Sequence, residues 1–174
     1  MIKTLKLKRL TAVAIIFVLS SCGSGGSSGE SDSDKCNPEK GELKCDGKSF
    51  SREVLSGLNL SGGSFRNVDF TYATLIGTNF DGADLSVARF DYADLTGANI
   101  SRTKLSSSSF QYAILVGALI QDNCLSNLNF DYSNLTGADF ARSEGALDGF
   151  KAYQSNVTKS INFDGLSVSC SVKP

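Results

Sequence analysis

The sequence predicts an all-β fold in which the chain winds as a four-sided coil stacked on itself, and two periodicities support this prediction. The first is an apolar residue at every fifth position, without interruption, from Phe50 to Phe140. A period of five fits neither an α-helix nor a β-strand, whose side-chain periods are 3.6 and 2. It fits a chain that turns a corner every five residues and points one large side chain inward on each side.

The second periodicity, of twenty residues, indicates how many sides each coil has. Phenylalanines, tyrosines and glycines recur at this spacing: Phe50, Phe70, Phe90, Phe110 and Phe130; Tyr72, Tyr92, Tyr112 and Tyr132; Gly57, Gly77, Gly97, Gly117 and Gly137. Because four five-residue sides make one turn, residues twenty apart are expected to lie directly above one another. The glycines are expected at turns with a positive φ or where coils approach closely.

The repeated unit is a small residue, then Asp or Asn, then Leu or Phe, then two variable positions. It is clearest in Ala83-Asp84-Leu85, Ala93-Asp94-Leu95 and Ala138-Asp139-Phe140. This unit resembles the motif of the pentapeptide-repeat family, over about 95 residues of the chain. The resemblance implies a right-handed quadrilateral parallel β-helix. It implies little about function, because one fold serves many functions.

Residues 1–21 are predicted to be a signal peptide. A basic leader (Lys3 to Arg9) precedes an apolar run that is too short to span a membrane and ends in Leu19-Ser20-Ser21-Cys22. This junction resembles the lipobox of bacterial lipoproteins, and the resemblance implies that Cys22 is acylated and becomes the N-terminus. The alternative is an ordinary signal peptide with an incidental cysteine. More than one acyl chain attaches a protein firmly to a membrane.

Residues 22–35 are predicted to be a flexible tether, because no apolar side chain follows Cys22 in this stretch. By the lipoprotein sorting rule, an Asp directly after the acylated cysteine favours retention in the inner membrane. This chain has Gly23 at that position. The expected location is therefore the bacterial cell envelope, at the outer membrane. Without the signal peptide the chain has 13 Lys and Arg against 18 Asp and Glu, a net charge of −5. No basic cluster of the kind that nucleic-acid binding needs is present.

Two caps are expected, because the ends of a stacked coil expose apolar side chains and unpaired backbone groups. Residues 36–49 are predicted to cover the N-terminal end, residues 50–142 to form the solenoid, and residues 143–174 to cover the C-terminal end. The rhythm breaks at Gly145, where an apolar residue is due. Lys48 and Glu53 occupy positions of small residues, which predicts an irregular first side.

Four cysteines remain after Cys22: Cys36, Cys45, Cys124 and Cys170. An even number in an oxidising compartment indicates disulfides, with three possible pairings. The turn-prone loop between Cys36 and Cys45 favours their pairing, which leaves Cys124 with Cys170 to hold the C-terminal segment on the solenoid. A four-cysteine zinc site is disfavoured because the sequence has no close cysteine pair and no histidine. We predict neither a metal nor a cofactor.

The outward positions contain no catalytic constellation. The chain has no histidine to serve as a base, and its aspartates are spread along the coil rather than gathered. Charges on neighbouring coils are expected to pair, with Asp69 under Arg89 and Asp84 under Lys104. An enzyme is not predicted.

Two outward features are candidates for contact with a partner. The Tyr column, defined as Tyr72, Tyr92, Tyr112 and Tyr132, is expected either to be a structural ring stack or to bind another envelope protein or a glycan. The second is an apolar patch on the fourth coil, formed by Ile114, Val116 and Leu119. The C-terminal segment is expected to cover this patch, with a dimer or partner contact as the alternative. The sequence leaves monomer or dimer open.

Three function classes follow. The first is a non-enzymatic lipoprotein of the cell envelope that serves as a scaffold or binding module. The second, implied by the family resemblance, is a DNA mimic that binds gyrase; it requires a cytoplasmic protein with a dense acidic face. The third is a hydrolase, which requires a catalytic constellation. The predicted export and weak acidity favour the first class.

Overall fold

A computed structural model describes residues 36–37 and 42–144. The described part begins with two short antiparallel strands, β1 (Cys36–Asn37) and β2 (Glu42–Leu43). From there the chain winds as a parallel β-helix, in which parallel bridges join residues that are twenty positions apart. These bridges run from the pair Lys44 and Ser64 to the pair Cys124 and Glu144. The predicted four-sided coil is therefore confirmed.

Backbone hydrogen bonds hold each coil to the next. We call the large inward residue of each five-residue side the core position. Its N–H donates to the carbonyl nineteen residues later, as from Phe90 to Ser109 at 2.8 Å. The N–H of the preceding residue donates in the opposite direction, as from Asp94 to Ala73 at 3.0 Å. Neighbouring coils are thus separated by the spacing of strands in a sheet, about 4.8 Å.

Each side ends in a β-turn whose third residue is left-handed. We call this residue, two positions after the core position, the corner position. Its φ lies between +54° and +70° at every fifth residue from Gly47 to Arg142. The N–H of Ala73 donates to the carbonyl of Phe70 at 2.9 Å across such a turn. A single positive φ at the third residue is the signature of a type II turn.

The interior of the solenoid is a stack of apolar side chains. One wall is a column of phenylalanines, and the rings of Phe90 and Phe110 lie parallel with centroids 4.8 Å apart. The small residues two positions before the core positions are also buried, as Ala73 and Ala93 show. Burial on this scale is the main source of stability, since each large apolar side chain contributes about 1.5–3 kcal/mol.

The regular coil extends beyond its predicted N-terminal limit. Cys45 is buried at a core position five residues before Phe50, and the parallel bridges begin at Lys44. The predicted irregularity of the first side is wrong. The N–H groups of Lys48 and Glu53 donate to the carbonyls of Cys45 and Phe50, at 3.2 and 3.1 Å. Both side chains are partly exposed, because a long charged side chain can extend its polar end to water.

Several predicted segments lie outside the described residues. They are the signal peptide (1–21), the tether (22–35) and most of the C-terminal cap (145–174 of the predicted 143–174). At its C-terminal end the described coil continues to Glu144, two residues past the predicted limit. In the described ranges, no helix is long and apolar enough to cross a membrane.

The inward and outward assignment can be tested with two adjacent aliphatic residues. Leu75 is fully buried, whereas Ile76 is 44% exposed. We predict that Leu75→Asp lowers the free energy of unfolding by roughly 3–5 kcal/mol, because it buries a carboxylate in an apolar core. The control, Ile76→Asp, places the same group in water and should cost less than about 1 kcal/mol. Urea unfolding measures both, and equal losses would show that the assignment is wrong.

Candidate interaction surface

Where an Asp or Asn stands before a core position, its side chain holds the following turn together. Its Oδ1 accepts the backbone N–H two residues later, at 2.9 Å from Thr71 to Asp69 and at 3.0 Å from Ser101 to Asn99. Such Asx turns satisfy a donor that the coil-to-coil ladder leaves out. The sequence showed the Asp and Asn preference, but this role was not predicted. These side chains are therefore mostly committed to the turns.

Several charged side chains of the wall pair with one another. Lys104 lies over Asp84 as predicted, with 3.7 Å between Nζ and Oδ2. Arg89 is bridged to Asp69 in register, but its guanidinium lies 3.6 Å from Asp91 instead. Two further pairs join Arg142 to Asp122, through two hydrogen bonds, and Arg102 to Asp81. Exposed pairs of this kind contribute about 0–1 kcal/mol each.

The turn contacts also change the acidity of two carboxyl groups. Partial burial opposes the ionisation of Asp69 and Asp84, but hydrogen bonds from Thr71 and Ser86 outweigh it. Together with the nearby positive charges, these bonds hold the pKa of both carboxyl groups below the ordinary value. The two groups therefore stay ionised and committed to the wall at neutral pH.

The Tyr column occupies one corner of the solenoid. Its four residues are at corner positions with φ between +57° and +62°, a conformation that costs a bulky side chain energy. Neighbouring ring centroids are 4.7–4.8 Å apart, and the ring planes deviate from parallel by only 2–10°. Each of the four tyrosines is 42–50% exposed. The predicted ring stack is present, and its contacts offset part of the backbone cost, by about 0.5–1.5 kcal/mol per pair.

The stack presents ring edges to solvent rather than ring faces. Tyr92 is covered on one face by Tyr72 and on the other by Tyr112. The guanidinium of Arg52 lies 5.3 Å from the ring centroid of Tyr72 and closes the N-terminal end of the column. Partial desolvation, the neighbouring phenols and Asp91 raise the pKa of Tyr92. A sugar ring needs an open aromatic face, so this geometry disfavours glycan stacking and leaves a row of hydroxyl groups.

The apolar patch lies at the next corner, around Gly117. Ile114 and Leu119 are 42% and 40% exposed, and Val116 between them is partly exposed. Elsewhere these two positions usually carry Asp or Asn in the Asx-turn role. At the patch, Ile114 and Leu119 therefore replace the Asx-turn contact with an exposed aliphatic side chain. The predicted cover, the C-terminal segment, lies outside the described residues.

The cysteines are in disulfides where they are described. Cys36 and Cys45 are bonded to each other, with their Cα atoms 4.9 Å apart, so β1 is fastened to the first coil. Cys124 is also disulfide-bonded and lies on the outer wall. Its predicted partner, Cys170, lies outside the described residues, and this pairing stays a prediction. Cys22, the predicted lipidation site, lies outside them too.

A buried polar network at one corner was not predicted. Asn123 stands at an inward position that usually holds a small residue, and its Oδ1 accepts the N–H of Thr103 at 2.7 Å. Its own N–H donates to Oγ of Ser143 at 3.2 Å, and that hydroxyl donates to the carbonyl of Ile120. The network satisfies backbone groups inside the coil. Its only sequence signal was a polar residue at an inward position.

The described side chains do not form a recognisable reaction centre. Within 36–37 and 42–144, no group of three or more Cys, Asp and Glu residues could hold a metal ion. The surface of the described residues includes walls with paired charges, the row of phenols and the apolar patch. Together with the stacked coils, this defines the class: a β-solenoid repeat protein.

Comparisons with known proteins identify the kind of repeat. A family model described as pentapeptide repeats matches residues 49–86 and 88–122, in eight copies. The chain is similar to a pentapeptide repeat protein from the thylakoid lumen of Arabidopsis thaliana, with 32% identity over 66% of this chain and 72% of that one (TM-score 0.45). The chain belongs to the pentapeptide-repeat family, whose fold is the right-handed β-helix.

Two other solved structures are similar at lower sequence identity. Rfr23, a pentapeptide repeat protein from the cyanobacterium Cyanothece 51142, is 23% identical over 70% of this chain and 91% of that one, with a TM-score of 0.48. QnrB1, a plasmid-mediated fluoroquinolone resistance protein, is 17% identical over 71% and 78%, with a TM-score of 0.42. No curated protein matches the chain.

The role of the Asx turns predicts how stability depends on pH. Because the folded pKa of Asp84 is lowered, its contribution is complete above the unfolded pKa and is lost as the pH falls through the folded value. Asp84→Asn keeps the oxygen that accepts from Ser86 but cannot titrate. We therefore expect the free energy of unfolding of the variant to fall less steeply below about pH 4, by less than about 1 kcal/mol. Parallel pH profiles for the two proteins would contradict this role.

Proposed function

We propose that the protein is a non-enzymatic, lipid-anchored scaffold of the bacterial cell envelope, which presents its solenoid wall to another envelope protein. One observation carries the scaffold role. The described polar side chains mostly hydrogen-bond within the turns or pair between coils. They are therefore held in place, and their polar atoms bond to other groups of the solenoid. Such a surface suits shape-based contact and does not suit catalysis.

The anchoring part of the proposal is supported by the sequence. The lipobox-like junction at Cys22 supplies an acylation site, and the polar tether to residue 35 supplies reach. A flexible chain of this length spans about 20 Å on average, enough to hold the solenoid clear of the lipid headgroups. The disulfides at Cys36–Cys45 and Cys124 suit an oxidising compartment.

A protein partner is favoured over a glycan. The ring faces of the Tyr column are covered between neighbours, which removes the surface that a sugar stacks on. The apolar patch offers exposed aliphatic groups at Ile114 and Leu119, beside the glycine corner where no side chain obstructs approach. Aliphatic groups beside a row of hydroxyl groups match the core and rim of a small protein interface.

The DNA-mimic alternative is disfavoured by charge arrangement as well as by predicted export. A mimic of duplex DNA needs a dense run of unpaired negative charge. Here several wall carboxylates are paired, for example Asp84 with Lys104 and Asp122 with Arg142. These basic residues interrupt the negative potential on their faces.

Replacement of the acylated cysteine tests the anchor. We predict that Cys22→Ser releases the protein from membranes on fractionation and ends labelling by a radioactive fatty acid, because the acyl acceptor is lost. The control is Ser21→Ala, which keeps a small residue at the junction and should still be labelled and membrane-bound. If the Cys22→Ser protein stays in the membrane fraction and takes up label, the anchor is excluded.

The scaffold role is tested separately, with the partner captured by cross-linking in intact envelopes. We expect the wild-type chain to give a specific cross-linked partner protein. The variant Ile114→Asn with Leu119→Asn restores the usual repeat residues, so it should fold normally and lose that partner. Ile76→Asn, an exposed aliphatic residue two coils away from Val116, is the matched control and should keep it. Equal capture by both variants would exclude the patch as the contact surface.

A further inference from the structure

The residues that are most easily oxidised are concentrated in the Tyr column. The sequence has no tryptophan or histidine, and its single methionine is Met1. Cys36, Cys45 and Cys124 are already in disulfides. The chain has five tyrosines, and four of them form the column. A one-electron oxidant that meets the described surface therefore finds phenols as its best electron donors.

The geometry of the column brings these phenols together in pairs. Tyr92 and Tyr112 lie with ring centroids 4.7 Å apart and planes within 2° of parallel, and Tyr72 lies 4.8 Å from Tyr92. The nearly parallel planes and the short centroid spacing bring the carbons beside the hydroxyls of neighbouring rings close together. The exposed edges leave room for the rings to tilt about their Cα–Cβ bonds until these carbons meet. The backbone fixes the pairing, because bridged coils cannot slide past each other.

We propose that the Tyr column is a site of oxidative cross-linking, where a peroxide-activated one-electron oxidant of the haem-peroxidase class joins tyrosines twenty residues apart as dityrosine. Two phenols each give one electron to the oxidant and one proton to water. The two radicals form a carbon–carbon bond between the positions ortho to their hydroxyls. Each joined carbon then loses its hydrogen as a proton while its ring oxygen regains one. Overall, two tyrosines and one hydrogen peroxide give one dityrosine and two waters.

The cross-link would fasten neighbouring coils at a corner whose tyrosines have a positive φ. A covalent bridge between residues twenty apart restricts the unfolded chain as a disulfide does, so the oxidised protein should resist unfolding more than the untreated one. The inference does not depend on the lipid anchor or on the proposed partner.

Two variants with equal tyrosine content test the proposal in the full chain. Both carry Tyr153→Phe and Tyr132→Phe, which confines the remaining tyrosines to three column positions. The adjacent variant adds Tyr72→Phe and keeps Tyr92 and Tyr112. The separated variant adds Tyr92→Phe and keeps Tyr72 and Tyr112, about 9.5 Å apart. Phenylalanine preserves the ring stack, so both variants should fold.

Each variant is treated, at low protein concentration, with peroxidase and hydrogen peroxide. Dityrosine fluorescence is measured, and linked peptides are identified by mass spectrometry as two hydrogens lighter than their sum. We expect the adjacent variant to form an intramolecular link between residues 92 and 112, and the separated variant to form none between residues 72 and 112. Equal yields from the two variants, links only between molecules, or no link in the adjacent variant while free tyrosine couples in the same mixture would each overturn the proposal.

Discussion

A left-handed residue at every fifth position is the constraint on which the solenoid depends. Without a positive φ the chain cannot turn the corner, and its coils cannot align for the ladder between residues nineteen apart. Only some corner positions are glycine, and each of the others costs about 1–2 kcal/mol. The structure offsets this cost locally, through the ring stack at the Tyr column, the Asp122–Arg142 pair and the Asx turns.

The fold could be predicted because its core repeats without interruption. An apolar residue every five positions fixes which side chain is inward, and the recurrence of Phe and Tyr every twenty fixes which coils stack. The glycine column was also predictable, because glycine favours positive φ. The positive φ of Tyr72 and Arg52 could not be predicted, because neither residue type favours that conformation. Lys48 and Glu53 led to the wrong prediction of an irregular first side, because their long side chains reach water from a regular turn. For the network around Asn123, the only signal was a polar residue at an inward position.

The candidate surface could be predicted as a set of residues but not as chemistry. The twenty-residue period predicted the residues of the Tyr column and the apolar patch. Whether the tyrosine rings expose their faces or their edges to solvent depends on the centroid spacing of 4.7–4.8 Å, which the period does not give. Likewise the sequence placed Arg89 over Asp69 correctly, but the guanidinium of Arg89 lies beside Asp91. Side-chain choice among neighbours at similar distance is a matter of rotamers, which sequence period does not encode.

The ladder between coils can be observed directly by measuring scalar couplings across hydrogen bonds in a deuterated, isotopically labelled sample. We predict a coupling from the amide nitrogen of Phe90 to the carbonyl carbon of Ser109, and the same nineteen-residue offset from Leu95 to Ile114 and from Phe110 to Asn129. These couplings require the left-handed corners between them. From these core-position amides, an offset other than nineteen, or one that changes from side to side, would contradict a four-sided coil with five residues per side.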